Sequence, residues 1–377
     1  MSSAAFYLKA SQLLLADGFS QGYLRIEQGY ITAIETTPSR NLPMQDCSDG
    51  MLCPGFIDIQ VNGGGGALFN TTPSVESLAT IFAAHQQYGT TSMLPTVITD
   101  DLTVMQQAAD AVAAARAKQM VGIIGIHFEG PHLAQAKRGC HPQHYLRPLT
   151  AAEMTLYCRQ DLGVVMLTLA PETVPVEQIT ALTAAGVIVS LGHSNAGSAQ
   201  ILPAIAAGAS CVTHLYNGMS NLTSREPGLV GTALADPRLY CGIIFDGEHL
   251  HPLSAQIAYQ MKGEQRLILV TDAMSPVGTA QQEFNFAGGR VTRQGMKLTN
   301  SEGSLAGSVL DMASAVRYAV RQLEIDCASA LRMASNTPAR LLGLPQLGQI
   351  KVGGRADLVW LTSALEVRQT WVAGLAS

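Results

Sequence analysis

The chain has 377 residues, of which 47% are hydrophobic, enough apolar mass for one large core with a smaller attachment. Only 14% of residues are charged, the net charge is −5, and no Lys/Arg run exceeds two residues, which excludes a nucleic-acid footprint. No apolar run reaches the length of a membrane span and no basic segment leads into a secretory core, so a cytoplasmic protein without membrane partners is expected. The seven cysteines are an odd number, widely separated and without a CxxC pair, and read as reduced thiols rather than disulfides or a structural zinc site.

Residues 1–53 read as short strands, AFYLKASQLLLADG and then YLRIEQGYITAIETT, with reversals at Asp17-Gly18 and Gln28-Gly29. This segment is too small to stand alone. Matching material lies at the far end, where RADLVWLTSALEVRQTWVAG alternates around a turn. A β-sandwich subdomain built from both termini, 1–53 and 346–377, is therefore expected to enclose a larger unit over 54–345.

Inside that unit, short apolar runs alternate with helix-length segments. Strands are expected at 56–61, 92–97, 122–127, 163–170, 187–190, 211–214, 241–245 and 266–271. Helices are expected at 75–87, 101–118, 151–160, 175–185, 198–207 and 252–261, several with a cap such as Thr150 with Glu153, or Ser198. The fold class is thus α/β, a (β/α)8 TIM barrel with its site at the C-terminal ends of the strands. The segment 276–305 is long for a connection and reads as a hairpin or flap near the mouth. Helices at 308–323, 326–334 and 337–342 close the barrel.

Four polar residues end apolar runs on this count: Glu129 after strand 3, His193 after strand 5, His214 after strand 6 and Asp272 after strand 8. A carboxylate with two imidazoles is a ligand set for a catalytic zinc that leaves a position open, and iron, cobalt or manganese are rivals because N/O ligands select weakly. Asp272, in LVTDAMSP, follows an apolar run and must be paired or used. As catalyst it would take a proton from water and return it to a leaving group; as structure it would be a capping or salt-bridged carboxylate.

His141, in KRGCHPQHYLRP, sits in a loop able to arch over the mouth and polarise a carbonyl, with His144 only a neighbour. His127 and His132 flank Glu129, and the former reads as a support behind the ligand. After His214, Asn217 and Arg225 with backbone N–H groups near Gly218 suit an anionic oxygen cluster such as phosphate, although a structural salt bridge explains Arg225 equally well. FDGEHLHP adds His249 and His251. The glycine run Asn62 to Gly66 lacks the Lys and Ser/Thr of a phosphate loop and reads as a close wall beside the substrate.

Taken together, PGFIDIQVNGGGG, GIHFEGPHL, LGHSNA, THLYNGM with REPG, FDGEHLHP, LVTDAM and SLAGS resemble the N-acetylglucosamine-6-phosphate deacetylases of the amidohydrolase superfamily, over nearly the whole chain. The resemblance implies one divalent metal on Glu129, His193 and His214, Asp272 as acid/base, and His141 as carbonyl polariser. It further implies a phosphosugar held by Asn217, Gly218, Arg225 and His249, partly across a homodimer interface. Where many of the superfamily carry His-x-His, this chain has Gln60 and Asn62, so a single-metal enzyme is expected, with a weaker second site left open. The implied reaction is hydrolysis of N-acetylglucosamine 6-phosphate. The alternatives are another acylated amino-sugar phosphate such as the galactosamine epimer, a cyclic amide, or a non-catalytic phosphosugar-binding protein.

Overall fold

A computed structural model describes residues 5–377; the first four residues of the expected N-terminal β unit lie outside the described residues. The chain starts as an antiparallel meander, Phe6–Leu15, Gly18–Glu27 and Tyr30–Glu35. Gln28 and Gly29 both take positive φ, 52° and 82°, the geometry a two-residue hairpin needs to match strand twist. The C-terminal strands Leu358–Leu361 and Val367–Val372 join the same sheet through Met51–Pro54. A small core containing Leu8, Leu24, Ile26, Leu358 and Trp371 stabilises this terminal sandwich. Each such side chain contributes about 1.5–3 kcal/mol when fully buried.

The larger unit is a near-closed (β/α)8 barrel. Its strands are β1 (Phe56–Val61), β2 (Thr90–Ile98), β3 (Gly125–Glu129), β4 (Val164–Leu169), β5 (Ile188–Leu191), β6 (Cys211–Val212), β7 (Tyr240–Ile243) and β8 (Leu267–Leu269). They pair in parallel and in sequence order. β1 and β8 share no regular ladder; a single bridge, Val61 to Ala273, crosses the seam. The helices pack outside on the continuous barrel core, and among the described residues none is long and apolar enough to cross a membrane.

Boundaries differ from the expected ones where tertiary contacts outweigh local pattern. β3 starts at Gly125 rather than 122, because Ile123 bridges Met93 outside the strand, and it ends on Glu129 itself. β6 is two residues long, since Thr213 and His214 leave the ladder. The helix Gly228–Ala235 was not expected: nearly all of it is buried, which erases the polar/apolar period that reveals a helix. The flap is more than a hairpin. It is a four-stranded antiparallel sheet over Glu283–Phe286, Gly289–Gln294, Lys297–Asn300 and Leu305–Ser308.

Candidate metal centre and active site

The barrel brings Glu129, His193 and His214 together at its C-terminal end. Glu129 Oε1 lies 3.0 Å from His214 Nε2 and 3.3 Å from His193 Nε2, and the two Nε2 atoms are 3.0 Å apart. His193 and His214 take positive φ, 46° and 33°, two residues past the ends of their strands, and Asp272 does so at 51°, three residues past its own. A non-glycine residue held there costs of order 1–3 kcal/mol, and such strain gathers at working sites.

The chemistry of the donors decides what the cluster fits. The Nδ1–H of His193 donates to Lys137 O at 2.8 Å, so its Nε2 presents a lone pair to the cluster. Two imidazole nitrogens and a carboxylate oxygen then converge on one point, a donor set suited to a divalent metal ion. These three buried residues form a group able to hold a metal ion among the described residues. Burial works against the charge on Glu129, yet His193 and His214 hold its carboxyl well below the ordinary range. Burial likewise works against a charged His214, but Glu129 raises it overall.

The amides at the expected second-metal positions are spent on carboxylates. Gln60 Nε2 donates to both oxygens of Glu129 and to Asp272 Oδ1, each at 3.2 Å. Asn62 Nδ2 donates to the same Asp272 oxygen at 2.7 Å. Both amides thus present N–H groups, rather than imidazole lone pairs, to the cluster. Burial, followed by the charge on Glu129, pushes the Asp272 carboxyl up to about 6.

A cavity of about 320 Å³ opens above the cluster and is lined by Glu129, His141, His193, His214 and Asp272, together with Asn217, Gly218 and His249. His141 is buried, and its Nδ1 lies 2.8 Å from Thr99 Oγ1; burial and the neighbouring His193 hold it well below the usual imidazole range, so the ring is neutral. Gly218 has φ of 61°, and a Cβ there would meet His193 Nδ1 at 2.9 Å, so only glycine fits. His249 is oriented by Asp246, whose Oδ2 lies 2.6 Å from its Nδ1.

Not every candidate reaches the cavity. Arg225 stands exposed in the loop after β6 and does not line it. His132 is bound to Arg147 O and Tyr157 as structure, and His144 lies tilted against the Tyr145 ring beside a neighbouring depression. Conversely, Met274, Phe286 and Leu305 close the cavity from the flap side. Their positions depend on a long-range fold-back that no local pattern announces.

The profile of the amidohydrolase family matches residues 51–376. The chain is 55% identical to an N-acetylgalactosamine-6-phosphate deacetylase of Shewanella sp. (strain ANA-3), over 96% of this chain and 95% of that protein. It is 36% identical to an N-acetylglucosamine-6-phosphate deacetylase of Bacillus subtilis (strain 168), over 94% and 92%. The crystal structure of N-acetylglucosamine-6-phosphate deacetylase from Pasteurella multocida superposes with a TM-score of 0.96 at 34% identity, covering 99% of this chain and 100% of that one. The chain therefore belongs to the amidohydrolase family as a metal-dependent enzyme with a Glu-His-His metal-binding triad, closely related to the deacetylases of N-acetylated glucosamine and galactosamine 6-phosphates.

Proposed function

We propose that this enzyme hydrolyses the acetamide of an N-acetylated hexosamine 6-phosphate, with N-acetylgalactosamine 6-phosphate the favoured substrate. The observation that carries the reaction is the Glu129–His193–His214 cluster with Asp272 beside it in one cavity. The motifs alone lean toward the glucosamine epimer. The 55% identity to a galactosamine-type deacetylase, against 36% for the glucosamine-type relative, moves the preference to the other epimer.

In this reading Glu129, His193 and His214 hold one divalent cation, with zinc first and iron, cobalt or manganese as rivals. When bound it supplies Lewis acidity to the acyl oxygen and makes water a better nucleophile. Asp272 is the base: held by Asn62 and Gln60, its carboxylate takes the proton from water as the new C–O bond forms. It returns that proton to the nitrogen as the C–N bond breaks, releasing acetate and the free amine. His141, placed by Thr99, donates to the acyl oxygen.

The phosphate end is assigned to Asn217, the Gly218 backbone and His249, with Arg225 contributed by a second copy. Supporting a homodimer, Leu222 is exposed beside Arg225, and Leu253, Ile257 and Met261 form an exposed stripe along the helix Pro252–Arg266 that starts just after His249. Seven free cysteines support a cytoplasmic location. The deciding experiment is acetate release from both epimers, with and without the 6-phosphate. Higher kcat/KM on the phosphorylated galacto epimer supports the proposal, and equal turnover of unphosphorylated sugars would sink the phosphosugar reading.

A further inference from the structure

Asp58 is a fully buried carboxylate in the middle of β1 that neither the metal cluster nor the cavity uses. Burial pushes it up to about 7. No Lys, Arg or His makes an ion pair with it among the described residues. A buried carboxyl without a cation is costly, and in a barrel strand an apolar residue would fill the same space without that cost.

Its hydrogen bonds show what it serves. Oδ2 accepts from Thr271 Oγ1 at 2.5 Å, and Oδ1 accepts from Thr271 N at 3.3 Å and from Gln60 N at 3.2 Å. The two bonds from Thr271 cross from the residues after β8 to β1, the one seam of the barrel without a regular ladder. Thr271 is the residue before Asp272. Its carbonyl is taken by Ser308 Oγ at 2.6 Å, so its polar groups are held from two sides. Asp272 itself sits at φ of 51°, with its N–H on Gln60 O at 3.0 Å and its carbonyl accepting from Ser308 N at 2.9 Å.

We propose that Asp58 is a positioning residue for Asp272: its carboxyl replaces the missing ladder across the β1–β8 seam and holds Thr271, so that the Asp272 carboxylate stays on Asn62 and Gln60 in its strained conformation. The inference rests on the reading of Asp272 as the proton-transfer group, but its geometric part does not. Asparagine can keep the two N–H···O bonds through its Oδ1 and meet the Thr271 hydroxyl with its amide; alanine keeps none.

The test compares Asp58→Asn and Asp58→Ala in the metal-loaded protein, reading kcat, KM and bound metal, together with crystal structures of both. Asp58→Ala is expected to lower kcat on the order of 10²-fold, the usual penalty for a reacting group displaced by an ångström, with KM and metal stoichiometry near the parent values. Asp58→Asn is expected to restore kcat to near the parent value, which a mere loss of packing would not reproduce. In the alanine structure the Asp272 carboxylate should have left Asn62. Should Asp58→Ala fail to fold, Thr271→Val, which removes only the hydroxyl, takes its place and is expected to lower kcat in the same direction at constant metal content. A folded, metal-loaded Asp58→Ala protein with unchanged kcat and an unmoved Asp272 would overturn the proposal, as would an asparagine variant as impaired as the alanine one. A parent protein that turns over no N-acetylated hexosamine phosphate would instead fail the proposed function, and Asp272's position in the alanine structure would then still decide the inference.

Discussion

Two polar layers lie inside the same barrel, one above the other, and they differ in how their polar atoms meet. The lower layer joins four strands and the residue after β6: Thr96 Oγ1 lies 3.2 Å from His127 Nδ1, and His127 Nε2 lies 2.8 Å from Thr168 Oγ1. Thr213 Oγ1 then lies 2.6 Å from both Thr168 Oγ1 and Ser190 Oγ. Every member is buried and paired, and burial lowers His127 to about 4, so the layer is neutral throughout. Two residues further along β3 stands Glu129, where its Oε1 and the Nε2 atoms of His193 and His214 crowd one another within 3.3 Å. A mutually satisfied network specifies structure, whereas buried ligand atoms gathered at one point on strained backbone mark a working site.

Breaking the upper layer should cost function, and breaking the lower one should cost stability. The largest expected effect is that of Asp272→Asn, which removes proton transfer and should lower kcat/KM by about 10²–10⁴-fold while the protein still binds metal. Glu129→Gln comes next. It takes a charged ligand from the cluster and should weaken metal binding by more than the 10–100-fold typical of lost supporting contacts. Chelation should lower the Tm of the parent, because metal binds only the folded chain, but leave that of Glu129→Gln nearly unchanged. His127→Leu inverts the pattern: stranding Thr96 and Thr168 should destabilise the fold by roughly 1–3 kcal/mol, with metal stoichiometry still near the parent value. If His127→Leu emptied the metal site without lowering Tm, the distinction between the layers would collapse.

The same contrast explains what was legible in the sequence. Glu129, His193, His214 and Asp272 stand out because each interrupts or ends an apolar run, and the barrel count places them at one mouth. The lower layer stays hidden: Thr96, Thr168, Ser190 and Thr213 are ordinary residues for strands, and only three-dimensional closure shows that they meet. Arg225 illustrates a different gap. A conspicuous charge in the loop after β6 suggests an anion contact, yet in a single chain it stands outside the cavity. The helix Gly228–Ala235 and the extra flap strands were missed because burial on all sides, and register set by distant partners, leave no local period.

The smallest expected effect concerns the amides that replaced the second-metal imidazoles. Asn62 lowers the Asp272 carboxyl by donating to its ionised form, against burial and Glu129, which raise it to about 6. A base must be deprotonated to work, so kcat/KM should fall as pH drops through the Asp272 pKa. Because a bound cation would offset part of the Glu129 charge, that acid limb should lie at or below about pH 6 in the loaded enzyme. Asn62→Leu removes the donor, favours the protonated acid and should move the limb to higher pH. The plateau at alkaline pH should fall less than it does for Asp272→Asn, since the base itself is retained. A limb that stayed in place, or moved to lower pH, would mean that Asn62 serves the substrate rather than the base.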